Sequence, residues 1–192
     1  ASASTGFRAP SLHQIYMSSV QALVSGGTVS NQGTFANGSA VVRSLGVAPL
    51  TNESAENISF GIAMKPMDGL YVSLDYYQVN VYDRIVYSSS IASSDTTTAV
   101  YAILQDNDVT SLKFFTNAVD TETSGLDFVL SYTGLELGSG NLGFNFSANF
   151  NQTSVVGEIA TPDAIAESGV DLFDRKEQSR LETARPSDKQ LI

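Results

Sequence analysis

Tight turns and very long connections alternate along this chain, and that rhythm restricts its fold more than any single motif does. The turns are Lys65 to Gly69 and Gly138 to Asn141, both built from the Pro, Asp, Gly and Asn chemistry of sharp reversals. The connections run roughly from Leu12 to Ala55, Ser88 to Thr116 and Val156 to Glu182, each long enough to be a small structure in itself. Between them the sequence repeats with period two. Leu142, Phe144, Phe146, Ala148 and Phe150 alternate with Gly143, Asn145, Ser147 and Asn149, which predicts a strand with one apolar face and one face of small or amide side chains. Leu126, Phe128, Leu130 and Tyr132 repeat the pattern, as do Ile58, Phe60, Ile62 and Met64. A fourth strand is predicted from Leu70 to about Tyr87, and its apolar parity switches near Tyr76 and Tyr77. The switch implies either a β-bulge or passage from one environment into another.

Short turns at one rim and long loops at the other are the plan of outer-membrane barrels, whereas a soluble domain with three irregular loops of this length is unusual. A sandwich would bury the apolar faces of two sheets against each other and show much the same periodicity. The chain is therefore read as all-β, an incomplete antiparallel transmembrane β-barrel segment of about five to six strands with short periplasmic turns and long extracellular loops. A soluble, exported β-sandwich that binds carbohydrate is the alternative.

Charge placement favours the barrel. Hydrophobic residues make up 42% of the 192 residues, which leaves the class open, but only 16% are charged, against roughly 25% in typical soluble domains. No charge falls between Leu137 and Gly157, and Asp75 and Asp127 lie on the polar parity of their strands. A basic residue on the lipid face at mid-bilayer would cost about 2–4 kcal/mol, and none is expected there. A tilted strand crosses in roughly 9–11 residues, so a crossing that begins at Leu70 ends near Asn80 and leaves Asp83 and Arg84 above the lipid. The longest run without Asp, Glu, Lys or Arg, Ala9 to Val42, is too rich in Ser, Gly, Gln and Asn for a membrane-spanning helix.

A net charge of -10 argues against binding nucleic acid through its phosphates. The chain has no cysteine, which removes disulfides, thiolate metal sites and a Cys nucleophile together. Ala1 opens no secretory signal, so an exported protein would carry its address upstream.

Four segments resemble the barrel of TonB-dependent outer-membrane receptors: STGFRAPSLHQIY at Ser4 to Tyr16, LDYYQVNVYDRIV at Leu74 to Val86, FFTNAVDTETSGLDF at Phe114 to Phe128, and LFDRKEQSRLETARPSDKQ at Leu172 to Gln190. Their order and spacing are those of the later part of that barrel. The resemblance implies a parent of about 22 strands around a plug. Such a parent takes up a scarce nutrient, a siderophore, vitamin or oligosaccharide, with energy delivered by TonB, in the outer membrane of a Gram-negative bacterium. Residues 1–192 are then one fragment of the barrel domain, without the plug. Outer-membrane lipid and lipopolysaccharide, the plug, TonB and the ligand are the implied partners. With two unpaired edges the fragment is expected to aggregate or stay unfolded in water.

No residue is assigned to catalysis, cofactor or metal binding, and the ligand-binding residues are left open. His13 lacks partner ligands and reads as a rim histidine. Asp106 with Asp108, and Asp120 with Glu122, lack the spacing of a calcium or acid–base site and read as solvated loop acids. Half of the ten basic residues lie between Arg175 and Lys189, interleaved with Glu177, Glu182 and Asp188. They read as a solvated, mixed-charge loop leading into a strand, before a loop that engages lipopolysaccharide phosphates or an anionic ligand. By resemblance Arg8 braces the barrel rim or wall rather than binding substrate. Tyr16, Tyr76, Tyr77, Tyr82 and Tyr87 read as an aromatic girdle, with the ligand path as the other role. The Asn-x-Ser/Thr matches at Asn37, Asn52, Asn57, Asn145 and Asn151 are expected by chance. A secreted hydrolase would need convergent carboxylates or a nucleophile with its base, and the sequence offers neither.

Overall fold

The computed structural model describes residues 1–25, 27–183 and 189–191. In chain order the strands are β1 (Ser2–Arg8), β2 (Ser19–Ser25), β3 (Thr28–Thr34), β4 (Glu53–Met67), β5 (Leu70–Tyr87), β6 (Ser111–Lys113), β7 (Phe115–Leu137), β8 (Gly140–Val156) and β9 (Lys189–Leu191). The helices are α1 (Leu12–Tyr16), α2 (Ala40–Ser44), α3 (Ala99–Asp106), α4 (Asp163–Ala166) and α5 (Arg175–Thr183).

Six strands form one antiparallel sheet in the order β1-β4-β5-β7-β8-β9, with β1 and β9 at its edges. Each strand therefore lies beside the next sheet strand along the chain, as in an up-and-down barrel wall. The expected strands are all present: β5 has the predicted bounds, and β4, β7 and β8 are longer than the periodicity alone marked. The two short turns narrow to Asp68–Gly69 and Gly138–Ser139. Gly69 and Gly138 both adopt positive φ, +77° and +62°, which a side chain would strain. The hairpins are staggered: Leu70, Tyr132 and Phe144 share a row, and β7 and β8 continue beyond it to pair Leu135 with Leu142 and Leu137 with Gly140.

Of the two explanations for the parity switch, passage between environments is correct. Pairing is unbroken at Tyr76 and Tyr77, and the sheet register slips instead between Val81 and Ile85. There Asp83 adopts φ +53° and its amide donates to Asp120 Oδ1 at 2.8 Å.

The long connections are not irregular. They contain all five helices and a second, three-stranded sheet in the order β2-β3-β6, with β3 and β6 parallel. Sequence reading marked none of these elements. Serine and threonine side chains start three of the helices: Ser11, Ser39 and Thr98 accept from the amides of Gln14, Val42 and Tyr101. Most of the buried core lies here, with Val42, Leu45, Ile91, Val100, Leu104, Leu112, Phe114, Ile165 and Leu172 nearly or fully inaccessible, and Val86, Ala118 and Val119 of the large sheet complete it. The molecule thus has an open apolar wall and a cap with a packed core.

Candidate functional site

Directly opposed residues of an antiparallel sheet share a face, so the register reads out both sides of the wall. One face carries the rows Phe60–Tyr76–Leu126–Phe150, Ile62–Leu74–Phe128–Ala148 and Met64–Val72–Leu130–Phe146. Phe60, Ile62 and Phe144 on this face are 57%, 65% and 57% exposed. Among the described residues no second layer covers it, and the β-sandwich alternative fails on this point. Toward the cap the same face turns polar: Gln78, Ser124 and Gln152 fill the next row beside Ile58, followed by Glu56–Asn80–Glu122–Ser154. Gln78 donates to Glu122 at 3.0 Å, and the Tyr82 hydroxyl donates to Glu56 at 3.3 Å.

The other face carries Ser59–Tyr77–Gly125–Asn151, Gly61–Asp75–Asp127–Asn149 and Ala63–Ser73–Val129–Ser147. Asn149 donates to Asp127 and, at 3.4 Å, to the Tyr77 hydroxyl, while Asn151 donates to Asn149 at 2.6 Å. Tyr77 lies over Gly125 so closely that a Cβ there would collide with its ring and hydroxyl. Asp75 covers Gly61 in the same way. Glycine is needed at these two positions because a neighbour's side chain uses the space.

Arg8 and Glu53 together join three strands at the cap end of the wall. Its Nε donates to Glu53 Oε2 at 2.7 Å and its Nη2 to Oε1 at 2.5 Å. Glu53 Oε1 also accepts the Ile85 amide at 2.7 Å. Burial pushes the Glu53 carboxyl up, but the bonds from Arg8 and the Ile85 amide outweigh it and hold it below its ordinary 4.5. The bracing role that resemblance gave Arg8 matches this geometry, and sequence reading missed its partner, since one acid among twenty carries no mark.

The remaining candidates divide. His13 is exposed on α1 and packs edge-on against Phe115, ring centroids 5.8 Å apart. Among the described residues no group of His, Asp and Glu could hold a metal. Asp106 and Asp108 are exposed at the end of α3. Asp120 and Glu122 are not loop acids; both lie in β7, beyond the end of the second connection. Tyr76 and Tyr82 share the exposed face, Tyr77 has the opposite parity, and Tyr16 and Tyr87 lie away from the apolar rows. Tyr77 therefore does not belong to a girdle. The Arg175 to Lys189 stretch is not a solvated loop over its first part, because α5 forms there and buries Glu177 between Arg180 at 2.8 Å and Lys113 at 3.6 Å. Arg185 and Asp188 lie outside the described residues. Asn37, one of the chance glycosylation matches, is only 3% exposed. Its amide donates to the carbonyls of Ala48 and Phe115 and accepts from Arg43 and the Leu50 amide.

A pocket of about 310 Å3 opens in the third connection against Ile159, Val170, Leu172 and Phe173. An open groove of about 790 Å3 runs beside β8 toward Glu182 and Thr183.

An up-and-down sheet with short turns at one end, folded connections at the other, a bare apolar outer face and a hydrogen-bonded polar inner face defines a wall segment of an outer-membrane β-barrel. The family model described as TonB dependent receptor-like, beta-barrel, matches residues 1–180, and the chain belongs to that family. No curated protein and no solved structure matches the chain. The family is one of transporters and receptors in the outer membrane of Gram-negative bacteria, which sets the general role of this chain.

Proposed function

We propose that this chain supplies wall and ligand-capturing cap to an active transporter that takes up a scarce nutrient, a siderophore, vitamin or oligosaccharide, using energy passed from TonB through a plug. The two-faced wall carries the reading. From Leu142 to Phe150 the apolar stretch of β8 rises about 27 Å along the strand at roughly 3.4 Å per residue. Tilted by about 40°, that becomes about 21 Å of height, close to the roughly 25 Å apolar band of an outer-membrane barrel. The acyl chains then solvate Phe60, Leu126 and Phe144, and the plug meets the Asp75, Asp127 and Asn149 face. The folded connections stand above the outer leaflet, where ligand arrives.

Single-cysteine labelling tests the placement, and the absence of native cysteine from these residues keeps the chemistry clean. In the full-length receptor in cells, cysteine at Phe60, Leu126 or Phe144 is expected to resist a water-soluble maleimide, while cysteine at Asp106 reacts from outside. Equal rates at Phe60 and Asp106 would remove the membrane reading. Uptake of iron chelates, cobalamin and oligosaccharides, compared in cells with and without TonB, then identifies the cargo. TonB-independent uptake of every substrate would overturn active transport.

A further inference from the structure

We infer that the three long connections form one cooperative cap, so that a ligand held by any one of them is felt by all three. Each contributes to a single core: Val42 and Leu45 from the first, Leu104 and Phe114 from the second, Ile165 and Leu172 from the third. These residues are at most 1% exposed, so no connection can leave without opening the apolar contacts of the other two.

Backbone hydrogen bonds run between the connections in the same pattern. The second is bound to the first through the parallel pairing of β3 with β6, through Thr110 N donating to Asn31 O at 2.8 Å, and through Phe35 N donating to Lys113 O at 2.9 Å. It is bound to the third through Ser89 N to Leu172 O at 2.9 Å, and through Asp174 N to Ser89 Oγ at 2.7 Å. Loops that closed independently over a ligand would have cores of their own and few bonds between them. Here the second connection is the shared middle, and a displacement of either neighbour strips partners from buried backbone groups in it.

Hydrogen exchange on the full-length receptor in detergent tests this. In the unaltered protein, amides of α2, α3 and the Ile165 to Phe173 segment are expected to converge on one opening reaction as denaturant rises. Three separate openings would overturn the inference. Leu104→Ala, in the second connection, is expected to speed exchange roughly tenfold or more in the first and third as well. Acceleration confined to residues 88–114 would also overturn it. Should that variant fail to fold, the convergence measured in the unaltered protein decides alone.

Discussion

Glu53 shows how much of the cap-end rim depends on one carboxylate. Its two oxygens take two bonds from Arg8 on β1 and one from the Ile85 amide on β5, so a residue of β4 holds both neighbours at the point where the sheet register slips. Its folded pKa is depressed, so the stabilisation is fully present above the ordinary value of 4.5 and is lost as pH falls below it toward the folded value. Thermal unfolding of the full receptor should show that loss as pH is lowered below 4.5, with little change between neutral pH and 4.5, and Glu53→Gln should flatten it while lowering stability by on the order of 1–3 kcal/mol. A pH profile that is identical in the variant would remove Glu53 from that role. Asn37→Ala should cost about 2–4 kcal/mol in cap stability, because it orphans two carbonyls, the Leu50 amide and one Arg43 bond. The measurement is protease sensitivity of the first connection. A tolerated alanine would mean that water replaces the amide.

At the scale of elements, legibility followed the range of the interactions. Strands β4, β5, β7 and β8 could be read because a sheet face declares itself every second residue within one segment. The cap could not, since Val42, Leu104 and Ile165 are more than fifty residues apart and become neighbours only when three connections fold together. The capping serines and threonines were visible in principle, but α1, α2 and α4 span only four or five residues and carry too little periodicity to mark a helix. Asp120 and Glu122 were misplaced because outside the lipid a strand has no apolar face to announce it. The two faces should respond oppositely to charge. Leu74→Arg should reduce membrane assembly by about 2–4 kcal/mol. Ser73→Arg, one residue away on the other face, should assemble while impeding the plug or passage. Heat-modifiable mobility on gels of the full receptor distinguishes them, and equal loss in both variants would contradict the assignment of faces. Gly125→Val should displace Tyr77 and loosen β5 against β7, read as faster amide exchange along those strands.

For the whole molecule, the contrast between a packed cap and a bare wall governs behaviour in solution. The isolated chain should need detergent to stay dispersed, since exposed Phe60, Ile62 and Phe144 form a continuous apolar surface and the backbone of β1 and β9 is open at the edges. A monodisperse particle in plain buffer by ultracentrifugation would count against the wall. The stagger of the hairpins has a consequence for such a particle. Because the β7–β8 turn lies lower along the sheet than the β4–β5 turn, a level slab of oil cuts each strand at a different residue, and the staves must lean. Set upright, the same hairpins would lift some greasy rungs out of the slab and sink hydrated ones into it. The slant is therefore written into the lengths of the hairpins themselves.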